Sequence, residues 1–170
     1  LVCEQFEKYA FAFDNKCMNM DLMRLVLAIH DIGKAIDRST QHEHTLSLVR
    51  ELWENTPFNK HELYLVEVLL RDDHLGSYFQ NKYDLSDLKE EIVADATELK
   101  MSPSILLQYK MILYQCDIAS YTKDAGGLKY LEHMFVYENG EKAFDEDNGI
   151  IAMSEEYADR YVNLKESINE

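Results

Sequence analysis

An apolar segment runs directly into charged residues at Leu25-Val-Leu-Ala-Ile-His-Asp-Ile-Gly-Lys34. Its large apolar side chains recur at helical spacing, which predicts a helix packed into the protein interior. The helix would end at the rim of the core with His30 and Asp31, two groups that lose hydration there unless something binds them. Lys34 shares a helix face with His30 if the turn continues through Gly33. Because both His30 and Asp31 can bind a metal ion, this segment is the first candidate functional site.

Further histidines and aspartates occupy similar positions next to apolar helical runs. His42 and His44 open one amphipathic segment, and Asp72-Asp73-His74 closes the following apolar run. Asp117 lies inside a third run that is otherwise largely apolar. Mixed nitrogen and oxygen ligands from several helices are typical of sites for Mn, Fe, Co, Ni or Mg, whereas structural zinc favours thiolate sets. The sequence therefore predicts a site for one or two divalent metal ions.

Composition indicates one globular domain spanning residues 1–170, of which 46% are hydrophobic. A chain of this length buries about two thirds of its unfolded surface without needing disulfides. The 3 cysteines lack metal-type spacing, which favours free thiols in a reducing compartment and predicts a cytoplasmic protein. No apolar run approaches bilayer-spanning length, and nothing resembles a signal peptide, so no membrane partner is expected.

The net charge of −15 argues against an extended nucleic-acid surface or an anionic membrane as partner, because both require a contiguous basic face. Acidic residues are concentrated in 84–98 and 138–156, and we interpret both clusters as solvated surfaces. A small phosphorylated substrate remains compatible with this charge, since metal ions supply local positive charge. The sequence does not predict the oligomeric state.

Helical periodicity predicts a helical core over residues 1–124. Asp21 is the predicted N-cap of the helix that carries His30 and Asp31. The fourth helix is apolar on nearly every side, which predicts a central buried helix. The predicted helices lie at about 2–13, 21–31, 39–55, 59–73, 86–99 and 102–121.

An extension over residues 125–170 has a different pattern. Phe135–Phe144 alternates apolar and polar residues around Asn139-Gly140, a strong signal for a β-hairpin turn. Ser154 is the predicted N-cap of a final helix. One face of that helix carries Tyr157, Tyr161 and Leu164. The predicted fold is mainly α, with a small C-terminal β-hairpin and a final helix.

The residues that indicate chemistry form a recognisable set: His30-Asp31-Ile-Gly-Lys34, His42, His44, His74 and Asp117. As a set they resemble the HD-domain metal-dependent phosphohydrolase superfamily. The segment 25–76 is particularly similar to the HD domains attached to tRNA nucleotidyltransferases and to HD-GYP phosphodiesterases. The resemblance covers about residues 21–121 and implies an HD-domain helical bundle.

The resemblance implies metal-ligand roles for His30 and Asp31, with Asp31 bridging if two ions bind. Asp117 matches the closing aspartate of the family pattern. Two-metal members carry additional histidines, which correspond to His74 and to one residue of the pair His42/His44. Helical phasing leaves that pair open, and the resemblance slightly favours His42.

Two cationic residues have alternative interpretations. The resemblance implies that Lys34 contacts the substrate phosphate, whereas a solvated cation at a helix C-terminus is the alternative. Arg71 lies close in sequence to His74 and is a candidate phosphate contact or a helix-surface salt bridge. Family members also carry a ligand histidine on the preceding helix, and this chain has none before His30. That ligand is expected at or before Leu1, unless Glu4 or Gln5 replaces it or the site is incomplete.

The implied activity is hydrolysis of a phosphate monoester or diester of a nucleotide or cyclic (di)nucleotide. Metal coordination lowers the pKa of water from about 16 towards about 7, which makes it a nucleophile at neutral pH. The alternative is a degenerate HD domain that binds a ligand or partner without turnover. Retention of the ligand set favours the enzyme, and absence of the early histidine favours the binding module. A helical scaffold with purely structural histidines is the third possibility.

Overall fold

Helices dominate a computed structural model that describes residues 1–10, 18–120 and 133–169. The helices are α1 Val2–Tyr9, α2 Met20–Ile29, α3 Gln41–Trp53, α4 Lys60–Leu70, α5 His74–Phe79, α6 Leu85–Glu98, α7 Pro103–Ser120 and α8 Glu155–Ser167. A single 3-10 turn, Ile32–Ala35, separates α2 from α3 among the described residues. The predicted mainly α fold is therefore confirmed. The last residues of the first predicted helix, 11–13, and the predicted free thiol of Cys17 lie outside the described residues.

Two short antiparallel strand pairs precede the final helix. β1 Tyr137–Glu138 pairs with β2 Glu141–Lys142, and β3 Phe144–Asp145 pairs with β4 Ile150–Ile151. The β1–β2 turn has φ 51° at Asn139 and φ 82° at Gly140, as a two-residue hairpin turn of the I′ type requires. The predicted hairpin is confirmed, and β3–β4 is an additional pair.

Two predicted helix ends are wrong, and side-chain capping explains both. Helix α2 is capped by Asn19, whose Oδ1 accepts a hydrogen bond from the Leu22 N–H at 3.1 Å, whereas Asp21 pairs with Arg24. Helix α4 ends at Leu70, since Asp73 caps a new helix, α5. A capping side-chain oxygen accepts hydrogen bonds from the free N–H groups of a first turn. It can therefore begin a new helix at a residue where apolar periodicity alone predicts that the preceding helix continues.

Helix α7 lies at the centre of the fold. It contacts α1, α2, α4, α5, α6 and β4. Helix α4 is largely buried, as predicted, and packs against α2, α3 and α7. The extension completes the same hydrophobic core, to which it contributes Met134, Phe135, Ile150, Ile151 and Leu164.

Hydrogen bonds fasten the extension to the helical core at several points. The Gln115 amide donates to Ile151 O at 2.8 Å and accepts from the Ile151 N–H at 2.9 Å. The Tyr9 hydroxyl donates to Lys142 O at 2.8 Å, and the Tyr78 hydroxyl donates to Arg160 O at 3.0 Å. None of the described helices combines the length and apolar character that a bilayer-spanning segment needs.

Candidate metal centre

The end of α2 places His30 at the centre of a group of ligand-type atoms. Its Nδ1 lies 2.8 Å from Leu27 O, and because a carbonyl only accepts, Nδ1 carries the proton of the neutral ring. Its Nε2 lies 3.2 Å from Asp117 Oδ1 and 3.4 Å from Asp31 Oδ2. In metal sites, a backbone carbonyl commonly accepts a hydrogen bond from one ring nitrogen of a histidine and so directs the other nitrogen towards the ion.

The donor atoms of His30, Asp31 and Asp117 have the separations of metal ligands. One atom from each residue lies within 4.8 Å of the other two. Ligands about 2.0–2.2 Å from an ion lie about 3 Å apart when they are adjacent in its coordination sphere. The two observed distances from Nε2 match that spacing. The residues therefore fit a divalent ion, and they combine one imidazole with two carboxylates.

The two carboxylates also control the proton affinity of His30. Burial alone would lower the pKa of His30, but the hydrogen bond to Asp117 and the charges of Asp31 and Asp117 raise it above its ordinary value. Without an ion, a proton on Nε2 relieves the contact between its lone pair and the carboxylate oxygens. Metal and proton therefore compete for the same atom.

Substitution Asp117→Asn is expected to lower the pKa of His30, because it removes both a hydrogen-bonding anion and a charge. In the metal-free protein, the raised pKa contributes stability that is fully present below the unfolded-state value of about 6.5. That stability is lost as pH rises through the higher folded-state value. NMR titration of the His30 ring in the metal-free protein measures the shift. The exposed Asp159→Asn substitution is the charge-matched control, and equal titration curves for both variants would contradict the assignment.

Lys34 lies beside the cluster on the 3-10 turn rather than on a continued α-helix. Its Nζ is 2.6 Å from Asp31 Oδ2, and its side chain lines the adjoining cavity. The structure therefore places this cation next to a predicted ligand, where a phosphate oxygen would also be within reach.

Of the two histidines in α3, His42 lines the cavity and His44 does not. His42 Nδ1 lies 3.0 Å from Leu70 O, so the carbonyl accepts a hydrogen bond from the Nδ1–H. The other ring nitrogen, His42 Nε2, lies 3.4 Å from the side-chain amide nitrogen of Gln41. The structure thus distinguishes two residues that helical phasing leaves equivalent.

His74 does not line the cavity. Its Nδ1 lies 2.6 Å from Glu91 Oε2, and its ring stacks on Tyr83 with centroids 4.3 Å apart. Together with Asp72 and Glu91 it forms a second group of close ligand-type atoms. Because α5 begins at this point, its first residue turns away from the predicted metal cluster.

Asp73 is the member of this segment that reaches the cavity with a carboxylate. Partial removal from bulk water raises the pKa of Asp73, and the nearby charge of Asp117 adds to the effect. Asp73 Oδ1 accepts a hydrogen bond from the Gly76 N–H at 3.1 Å. A Cβ at Gly76 would lie 2.4 Å from that oxygen, so glycine is needed to hold the carboxylate in place.

Arg71 is also turned away from the cavity. Its guanidinium binds both oxygens of Asp95, at 3.0 and 2.6 Å, and its Nε donates to Asp72 Oδ2 at 3.0 Å. Lys110 Nζ completes this network, 3.4 Å from Glu91 Oε1. Among the two interpretations of Arg71, the geometry favours the salt bridge. A bidentate carboxylate pair leaves the guanidinium few donors for a phosphate.

The cavity beside the cluster has a volume of about 290 Å³. One wall is a single face of α7 that carries Lys110, Leu113, Tyr114, Asp117 and Ile118. Those positions follow the i, i+3, i+4, i+7, i+8 pattern of one helix face. The sequence analysis does not predict Lys110. Its position seven residues before Asp117 in a largely apolar helix places both residues on one helix face and could have indicated it. Glu4 and Gln5 do not line this cavity.

Gly33 permits the close approach of the 3-10 turn to α3. Its N–H donates to Thr45 Oγ1 at 3.0 Å, and Thr45 is only 1% exposed. A Cβ at Gly33 would lie 2.1 Å from Gln41 O and 2.6 Å from Thr45 Oγ1. The turn that carries Asp31 and Lys34 therefore docks only when position 33 has no side chain.

Substitution Gly33→Ala is expected to destabilise the protein by about 1–3 kcal/mol through overpacking, and to weaken metal binding because Asp31 shifts with the turn. Urea unfolding and metal titration measure the two effects. Gly140→Ala is the control: its Cβ has open space, and the positive φ alone costs about 1 kcal/mol. Unchanged metal affinity in Gly33→Ala would show that docking of the turn does not position the ligands.

Comparison with protein-family models, curated proteins and solved structures finds no match to this chain. The resemblance to HD domains therefore stays a prediction from the sequence motifs.

Proposed function

We propose that this chain is a divalent-metal-dependent phosphohydrolase of the HD type, acting in the cytoplasm on a phosphate ester of a nucleotide. The observation that carries the proposal is the convergence of His30 Nε2, Asp31 Oδ2 and Asp117 Oδ1 at metal-ligand spacing. These atoms come from the end of α2, the following residue and α7, and they lie on the wall of a ligand-sized cavity.

The chain's own residues divide into holding and orienting groups. His30, Asp31 and Asp117 would hold one ion of Mn, Fe, Co, Ni or Mg, and His42 and Asp73 face the same cavity and would supply a second position. When bound, the ion lowers the pKa of water and adds positive charge next to the phosphate.

Lys34 would orient the substrate phosphate beside the ligand group. Its ammonium is held 2.6 Å from Asp31 Oδ2 and can donate to a nonbridging phosphate oxygen from that position. The cavity also carries the carboxylates of Asp31, Asp72, Asp73 and Asp117. An anionic ester would be repelled by four carboxylates, so the proposal requires metal for substrate binding as well as for chemistry.

Elemental analysis of the purified protein, before and after reloading with each divalent ion, tests the proposal. We expect one or two equivalents of a transition metal or Mg, and metal-dependent hydrolysis within a panel of p-nitrophenyl phosphate, bis(p-nitrophenyl) phosphate, 5′-nucleotides and cyclic nucleotides. A protein that binds none of these ions would contradict both the metal centre and the hydrolase.

One contact favours a second candidate, a non-catalytic HD-type module. The Lys34 ammonium pairs with Asp31 Oδ2 and can neutralise the carboxylate in place of an ion. Substitution Lys34→Met separates the two candidates. In the hydrolase it is expected to retain metal and lose phosphate-ester turnover, whereas in the module it would convert a protein that binds no metal into one that does.

A further inference from the structure

Lys110 is a buried cation that lines the same cavity as the metal cluster. Its side chain is 6% exposed and lines the cavity on the same face of α7 as Asp117. The two residues are seven positions apart, which corresponds to about 10 Å along a helix axis. A ligand that spans the cavity would therefore meet ligand-type oxygens at one end and an ammonium at the other.

The Lys110 ammonium has hydrogen-bonding capacity left for a ligand. Among the described residues it donates to Glu91 Oε1 at 3.4 Å, which is long for an ammonium with three N–H donors. Glu91 Oε1 also lies 3.5 Å from Arg71 Nη2, so it is shared between two cations. A buried ammonium that is only loosely bound is a strong donor for an acceptor placed in the cavity.

The charges around Lys110 determine which acceptor fits. Lys110 and Arg71 lie among the carboxylates of Asp72, Glu91 and Asp95. Because these carboxylates already balance both cations, a second anionic group would be repelled. A neutral acceptor, such as a carbonyl oxygen, fits.

The apolar residues of the lining suit the ring system of a base. They include Leu69, Leu70, Leu75, Leu113 and the ring of Tyr114. Phe79 supports the Tyr114 ring from behind in a stacked arrangement, with centroids 5.3 Å apart and planes 7° apart. A cavity of about 290 Å³ is at the small end of ligand sites, so it suits one nucleoside rather than two.

We propose that Lys110 recognises the base of a nucleoside monophosphate, by donating a hydrogen bond to a base carbonyl oxygen while the phosphate lies at His30, Asp31 and Asp117. The phosphate half rests on the proposed function, whereas base binding does not require turnover. The proposal selects mononucleotides with an oxo base over adenine nucleotides and over cyclic dinucleotides.

Inosine and adenine nucleotides form a matched pair of probes, since they differ by a carbonyl or an amino group at one ring position. For the metal-loaded protein, we expect kcat/KM to be at least about tenfold higher for IMP than for AMP, because a buried donor left without its acceptor is costly. Substitution Lys110→Met is expected to bring the IMP:AMP ratio close to one. The exposed Lys60→Met substitution is the control and should keep the wild-type ratio.

The double substitution Lys110→Met with Glu91→Gln keeps the test valid if the single variant unfolds, because it removes the buried charge pair together. Thermal unfolding checks the fold of each variant. Equal kcat/KM for IMP and AMP in the wild type, or a wild-type ratio in a folded Lys110 variant, would overturn the proposal.

Calorimetric titration with inosine and adenosine separates this proposal from the hydrolase. If no phosphate ester is hydrolysed but inosine binds more tightly than adenosine and only with Lys110 present, the base subsite holds and the hydrolase fails. If esters are hydrolysed and neither nucleoside depends on Lys110, the hydrolase holds and the base subsite fails.

Discussion

Substitution His30→Ala is expected to abolish metal binding and to reduce metal-dependent phosphate-ester hydrolysis by more than about 100-fold. Loss of a residue that only hydrogen-bonds to a metal ligand already lowers metal affinity or activity by about 10–100-fold. His30 is a direct ligand in the proposed centre, so its loss should have a larger effect. Its Nε2 lies between the carboxylates of Asp31 and Asp117, at 3.4 and 3.2 Å, so its loss removes a donor atom from the centre of the group. Elemental analysis and steady-state assays on the same preparation measure both losses.

A matched substitution distinguishes loss of the ligand from loss of a histidine in general. His61 is an exposed residue in the first turn of α4, so His61→Ala should retain both metal and activity. Metal content equal to wild type in His30→Ala would exclude this group of atoms as the metal centre. A metal loss in both variants would indicate adventitious surface binding.

The second large effect concerns stability. Substitution Gln115→Leu is expected to lower the free energy of unfolding by about 3 kcal/mol, because it leaves the N–H and the C=O of Ile151 buried without partners. Both Gln115 and Ile151 are 0% exposed, so water cannot replace the lost hydrogen bonds. Urea unfolding monitored by circular dichroism measures the change.

The exposed Gln80→Leu substitution controls for the change in side-chain type, since its amide binds the exposed Lys82 side chain. It should alter stability by less than about 0.5 kcal/mol. A Gln115→Leu variant as stable as this control would show that the extension packs without the amide clamp.

Sequence pattern predicts the parts of the fold that depend on local periodicity. The length and phase of α6 and α7 and the turn at Asn139-Gly140 follow from residues within each segment. The strand pair β3–β4 escapes such a reading, because four paired residues are too few for a periodic signal. The backbone of Ile151 in β4 is hydrogen-bonded to the side chain of Gln115, which only the tertiary fold brings near.

The candidate site divides in the same way. The sequence predicts His30 and Asp31 as ligands at the end of an apolar run and Asp117 as a ligand inside another, and the structure brings the three together. The choice of His42 over His44, and the turn of His74 towards Glu91, depend on how α3 docks and where α5 begins. The identity of the chemistry stays a prediction until metal and turnover are measured.

Helix α7 has a consequence for the order in which this chain can fold during synthesis. Its buried amide binds a residue 36 positions later, and Tyr78 binds a residue 82 positions later. Contacts that distant in sequence delay folding, because the intervening chain must be closed into a loop first. While a ribosome is still translating the segment before residue 151, α7 lacks its contact with β4, and α6 lacks its contact with α8. Apolar surface left exposed at that stage favours aggregation of the incomplete chain.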